Sequence, residues 1–193
     1  MDLYDNLIVD ATFPSSFKHS SQKLSIILGQ NRIKAIDNFT FVSLANKNLS
    51  KVYLRQNEIE TIEENAFAAL RSISALNLCQ NHLHIVLLKN VATKLIDKSL
   101  KSLDLSNISL LDFPIQKCIS YMEYSSLKIL RLRSYNLRKL HSNIFSQLQE
   151  LTELDLSKNK IWFVAKNAFN GLYNLKTLNL DDNALPIAIC PPT

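Results

Sequence analysis

Residues able to do covalent chemistry are few and scattered in this chain. Cys79, Cys118 and Cys190 are an odd set that does not close into disulfides, and no Cys-x-x-Cys or Cys/His spacing offers a zinc site. Cys79 reads either as a reactive thiol or as a small residue, and Cys118 as buried and inert. His82 and His84 flank Leu83, which suits a solvated pair better than a pH switch. No Gly-rich phosphate loop, metal-ligand cluster or Ser/His/Asp arrangement occurs. The expectation is a non-enzyme with neither cofactor nor metal. Non-covalent chemistry remains. Tyr53, Asn77, Asp104, Arg131 and Asp155 follow one another at 24 to 27 residues, and Arg55 and Arg133 stand two places after Tyr53 and Arg131. Tyr and Arg are favoured interface anchors, so Tyr53, Arg55, Arg131 and Arg133 head the candidates for contact with a partner.

A spacing that regular requires a repeated element. Leu151, Leu154, Leu156, Asn159 and Ile161 recur 24 residues later as Leu175, Leu178, Leu180, Asn183 and Leu185. This is L-x-x-L-x-L-x-x-N-x-L, the sequence form of a leucine-rich repeat. The chain divides into about eight such turns, starting at 1 (partial), 23, 49, 73, 100, 127, 151 and 175. They form a single array over residues 1–193 with no recognisable terminal cap. Lys23 stands where the second turn should open with Leu.

The x-L-x-L-x alternation predicts one short strand per turn, laid in parallel beside the next. The expected fold is α/β: a curved leucine-rich-repeat solenoid with a parallel sheet on the concave face, and loops and short helices on the convex face. Asn6, Asn31, Asn57, Asn81, Asn159 and Asn183 fall among buried leucines. An unpaired buried amide costs ~1–3 kcal/mol, so these residues should bond to the backbone of adjacent turns as a ladder. Phe41, Phe67, Phe145 and Phe169 should stack as a second spine, with Phe13 and Phe17 as further core contacts. Ile108 and Tyr135 replace the ladder Asn in two adjacent 27-residue turns. Either longer loops supply the missing bonds, or curvature changes and a crevice opens near 108–135. Leu87, Leu88, Val91 and Leu95 predict a short amphipathic helix within 87–99.

Strand geometry then turns spacing into rows. Position five reads Ile27, Tyr53, Asn77, Asp104, Arg131, Asp155 and Asn179; position seven reads Gly29, Arg55, Cys79, Ser106, Arg133, Ser157 and Asp181. Neighbours in a row lie ~4.8 Å apart, which puts Arg131 between Asp104 and Asp155. That row is either a surface ion-pair ladder or a charged strip that selects a polar or acidic partner.

The chain is 47% apolar and 20% charged, which suits a folded protein rather than a disordered one. The net charge is +5, with Lys and Arg dispersed, so charge clustering does not support nucleic acid as a partner. The stretch MDLYDNLIVDATF lacks the features of a signal peptide, and no 18-residue apolar run predicts a membrane span. The chain is expected to be a segment of a longer protein. Asn38, Asn48 and Asn107 open N-x-[ST] sequons, a number that chance gives for this composition.

The form LxxLxLxxNxLxxIxxxAFxxL at 49–70 and 151–172 resembles the animal extracellular leucine-rich repeat. Clean 24-residue turns mixed with longer, Asn-less ones resemble Toll-like receptor ectodomains. That resemblance implies recognition on the extracellular side of a membrane receptor, with protein or microbial ligands and a receptor homo- or heterodimer. Matrix or cell-adhesion leucine-rich-repeat proteins and intracellular scaffolds are the alternatives.

Overall fold

The structure is a computed structural model that describes residues 1–13, 23–45, 48–83, 91, 99–108, 119, 122 and 126–186. Seven strands form one parallel sheet: β1 (Leu24–Ile27), β3 (Leu49–Tyr53), β5 (Ala75–Asn77), β6 (Ser102–Asp104), β7 (Ile129–Arg131), β9 (Glu153–Asp155) and β11 (Thr177–Asn179). Spatial order equals chain order, because each turn brings the chain back beside its own start. An isolated bridge between Asp2 and Ile27 extends the pairing toward the first residues. Two further pairs, β2 (Ala35–Ile36) with β4 (Thr61–Ile62) and β8 (Lys139–Leu140) with β10 (Phe163–Val164), run along one flank of the solenoid.

The second turn does not lack its opening Leu. Leu24 pairs with Leu49 and Ser25 with Lys51, so a one-residue bulge restores the register after Lys23. The template positions are buried in every interior turn, as Ile26, Val52, Leu76, Leu103, Leu130 and Leu154 show. Fully burying such a side chain contributes ~1.5–3 kcal/mol, and the same residues seal the turns on both sides.

The Asn ladder works as a clamp between neighbouring turns. Asn57 Nδ2 donates to the carbonyls of Leu28 and Leu54 at 2.9 and 3.0 Å, and Asn57 Oδ1 accepts the Ile33 N–H at 3.1 Å. Asn31, Asn81, Asn159 and Asn183 repeat the pattern. Asn6 departs from the expected burial. It is exposed and bonds only to Leu3 and Tyr4 in its own turn, since no described turn precedes it.

The residue before each ladder position is left-handed: Asp5, Gln30, Gln56, Gln80, Asn107, Ser134, Lys158 and Asp182 all have φ of 53–57°. This row went unread in the sequence because none of its members is Gly. Its signal is a polar residue directly before the ladder residue.

The aromatic spine stacks in two runs. Phe13, Phe41 and Phe67 have ring centroids 6.2 and 5.7 Å apart, and Phe145 lies 6.0 Å from Phe169. Phe17, Cys118 and most of the expected 87–99 helix lie outside the described residues; Val91 is helical and buried.

Through the Asn-less turns the register runs unbroken from β5 to β9, so the sheet does not open there. Ile108 and Tyr135 are buried in the ladder's place. Asn159 Oδ1 compensates in part by accepting two N–H groups, Tyr135 at 2.8 Å and Leu137 at 3.0 Å. Both residues flanking Tyr135 are left-handed, Ser134 at φ 54° and Asn136 at φ 61°. Most of the loop where a crevice was expected lies outside the described residues.

Candidate binding face on the sheet

The register sets the predicted rows side by side. Tyr53 pairs with Asn77, Asn77 with Asp104, Asp104 with Arg131, and Arg131 with Asp155. The position-seven row is held by backbone bonds at one step: Gln56 N–H to Cys79 O, Gln80 N–H to Ser106 O, Asn107 N–H to Arg133 O and Ser134 N–H to Ser157 O, at 2.7–3.1 Å. Tyr53, Asn77, Asp104, Arg131 and Asp155 are half-buried, whereas Arg55 and Arg133 are exposed.

The ion pairing differs from the expected Asp104–Arg131–Asp155 row. Arg131 Nη2 lies 2.6 Å from Glu153 Oε1, a diagonal neighbour at strand position three. The two aspartates are engaged by the backbone instead. Asp104 Oδ1 accepts the Ser106 N–H, and Asp155 Oδ1 the Ser157 N–H, each at 2.9 Å. Asn77 and Asn179 do the same for Cys79 and Asp181. The N–H at position seven follows the last strand residue, so an Asx side chain two places earlier is its nearest acceptor. L-[DN]-L-[CSD] was the available sign of this, in LNLC, LDLS, LDLS and LNLD. Asp104 Oδ2 takes a further bond from Asn77 Nδ2 at 3.1 Å.

Cys79 is half-buried, and its thiol is pushed up to about 11 by burial and then by the Asp104 carboxylate, against the opposing Arg55 and Arg133. At neutral pH that shift favours the protonated thiol. Arg55 packs over Gly29. A Cβ there would meet Arg55 Cγ at 3.0 Å and Tyr4 Cδ2 at 3.1 Å. Among the described residues no group of His, Cys, Asp or Glu could hold a metal ion, and no helix is long and apolar enough to cross a membrane. His84 and Cys190 lie outside the described residues.

Asn38, Asn48 and Asn107 carry accessible side chains, Asn38 half-buried and the other two exposed. Asn38 Oδ1 accepts the Asn65 N–H, and Thr40 is buried against Asp37. Asn107 sits in the left-handed row at the rim of the sheet.

The family model described as "Leucine rich repeat" matches residues 25–83 and 125–185, more than half of the chain, over the stretches where strand, ladder and spine coincide. The chain belongs to the leucine-rich-repeat family. Osteomodulin of Bos taurus is 30% identical over 206 residues, covering 95% of this leucine-rich-repeat chain and 47% of that protein. Toll-like receptor 3 of Boselaphus tragocamelus is 30% identical over 137 residues, covering 71% of this chain and 15% of that protein. The solved structure of the TLR13–ssRNA13 complex superposes with a TM-score of 0.66 at 27% identity, over 83% of this chain and 22% of that one. The chain thus spans about half the length of osteomodulin and a smaller part of the Toll-like receptors.

Proposed function

We propose that this chain is part of an extracellular leucine-rich-repeat protein of the matrix type that binds a partner without catalysis, through the concave face that carries Tyr53, Arg55, Asn77, Asp104, Arg131, Arg133 and Asp155. The observation that carries this reading is the likeness to osteomodulin, which extends over 95% of the chain, beyond the stretches that the repeat model matches. Arg55 and Arg133 have no carboxylate partner among the described residues, and Asp104 and Asp155, on the strands either side of the turn of Arg133, accept backbone N–H bonds. A partner that presents carboxylates or sulfates would meet exposed cations on a hydrogen-bonded sheet. A polymeric or protein ligand fits an open sheet face better than a small molecule, which needs a concave pocket.

The second reading is a Toll-like receptor ectodomain able to pair with another receptor chain, favoured by the Toll-like receptor 3 match and the TLR13 superposition. One experiment separates the two. The secreted chain is applied to decellularised extracellular matrix and, separately, to a 13-nucleotide single-stranded RNA. The matrix reading expects saltable retention on matrix that is lost in Arg131→Glu with Arg133→Glu, and no saturable RNA binding. RNA binding without matrix retention would overturn it in favour of the receptor reading. Retention that ignores the double substitution would discard the concave site.

A further inference from the structure

The flank formed by β8 and β10 carries a second surface. Trp162 and Phe163 are 49% and 44% exposed, with ring centroids 6.0 Å apart and planes tilted by 58°. Lys139 Nζ sits 4.6 Å from the Trp162 ring centroid, and Arg138 and Lys160 are exposed on the adjoining backbone. Trp162 N–H bonds to Arg138 O at 3.0 Å, and Lys160 N–H to Leu137 O at 2.8 Å, so the group rests on hydrogen-bonded strands and not on a free loop. No carboxylate among the described residues ion-pairs with any of the three cations.

The rings' exposure belongs to their place in the turn. Lys34, Glu60 and Arg138 stand at the position of Trp162, and Ala35, Thr61 and Lys139 at that of Phe163; all are exposed. Large aromatics at such positions leave about half of their surface in solvent. An exposed apolar patch rimmed by polar groups marks an interaction surface. No sequon falls within 126–186, so no N-linked glycan would screen it.

We propose that Trp162 and Phe163, with Arg138, Lys139 and Lys160, form a docking site for an acidic segment of a partner protein that inserts one apolar side chain between its carboxylates. Charge selects the acid: three cations lie within two adjacent turns with no ion-paired carboxylate among the described residues. Geometry selects a protein segment over a linear polyanion. The rings are tilted and one face of Trp162 is taken by Lys139, so they make a notch for a compact side chain and not a platform for successive bases. Among the described turns of this flank the cations do not form a continuous row, since Glu58 and Glu60 stand in the turn of β4, whereas a polyanion needs a continuous basic track. This flank is separate from the concave face, so the proposal stands or falls apart from the preceding one.

Trp162 is the chain's one tryptophan, so its fluorescence reports on this site alone. The full chain is titrated with a panel of acidic hexapeptides that differ only in a central Leu, Phe or Ser. The expected result is a saturable emission change with Leu or Phe, and about tenfold weaker binding with Ser. Arg138→Glu with Lys160→Glu should weaken the Leu peptide by at least about tenfold, while Arg138→Lys with Lys160→Arg retains it within about twofold. Circular dichroism of each variant confirms the fold. The proposal is overturned if no member of the panel moves the emission. Heparin or single-stranded RNA binding more tightly than every peptide would also overturn it, assigning the site to a polyanion.

Discussion

The two short flank sheets share one backbone and carry opposite surfaces. On β2 and β4, cations meet acids: Lys34 Nζ lies 3.7 Å from Glu58 Oε2, with Arg32 and Glu60 alongside. On β8 and β10, Arg138, Lys139 and Lys160 surround Trp162 and Phe163 with no acid paired to them. An exposed ion pair such as Lys34–Glu58 contributes ~0–1 kcal/mol, so the charge balance on β2 and β4 adds little to folding. The repeat fixes the backbone of both flanks through the Asn clamp and the buried Ile and Leu. It leaves the outward positions free, and there one pair of turns balances its charge internally while the other does not.

The largest test of this comparison concerns the clamp beneath each flank. Asn57 Oδ1 serves one N–H, whereas Asn159 Oδ1 serves two beside a turn that lacks its own Asn. Each buried group left unpaired costs ~1–3 kcal/mol. Asn159→Ala should therefore lose ~3 kcal/mol or more in urea unfolding, exceeding Asn57→Ala by about 1 kcal/mol. Equal losses would mean that the Asn-less turn places no extra demand on Asn159.

The convex returns give the next contrast. Phe67-Ala68-Ala69-Leu70 in the turn of β3 and β4 matches Phe169-Asn170-Gly171-Leu172 in the turn of β9 and β10. Gly171 has φ +89°, and a Cβ there would stand 2.6 Å from Ser146 O, so backbone would have to move. Gly171→Ala should cost ~2 kcal/mol, while Ala69→Gly should cost no more than about 1 kcal/mol, the usual entropic effect. Thermal melts of the two variants check this, and a tolerated Gly171→Ala would show that the return can yield.

A third test exchanges the surfaces. Trp162→Glu with Phe163→Thr copies the residues of Glu60 and Thr61 onto the other flank. Because the positions are exposed, unfolding free energy should stay within about 0.5 kcal/mol of the parent chain. A large loss would mean that the rings serve the fold after all.

The smallest effect is a pH asymmetry. Asp37, which enters the return after β2, is held below the usual carboxylate range by the Thr40 hydroxyl and then by the N–H groups of Phe39 and Thr40, against an opposing effect of burial. A depressed carboxylate contributes stability above its unfolded pKa and loses it as pH falls through the folded one. The equivalent residue after β8 is His141, with Ile144 in place of Thr40. Acidification below the normal aspartate range should loosen the return after β2 selectively, as seen by hydrogen exchange. Asp37→Asn should remove that pH dependence; loosening that survives in Asp37→Asn would assign the effect to another group.

The turn positions were legible because one backbone path repeats. Ile26, Val52 and Leu154 had to be buried once the period was known, and Asn57, Asn81 and Asn159 had to clamp. The lateral order of Tyr53, Asn77, Asp104, Arg131 and Asp155 followed from the same arithmetic. Three features were not legible. Leu24 recovers the register by a bulge, which depends on its pairing with Leu49. The left-handed row has no glycine to mark it. Trp162 and Phe163 lie outside the repeat template, so no periodicity singles them out.

The sequence by itself determined which side chains of the interior turns are buried and, away from the Leu24–Leu49 bulge, which lie side by side, because a 24- to 27-residue period sets the parallel register. Only the tertiary structure decided what the polar side chains do with their neighbours. Asp104 and Asp155 bend to backbone N–H groups, and Arg131 turns to Glu153. A lateral neighbour at ~4.8 Å is within reach of several partners at once, and competition with the unsatisfied backbone settles among them.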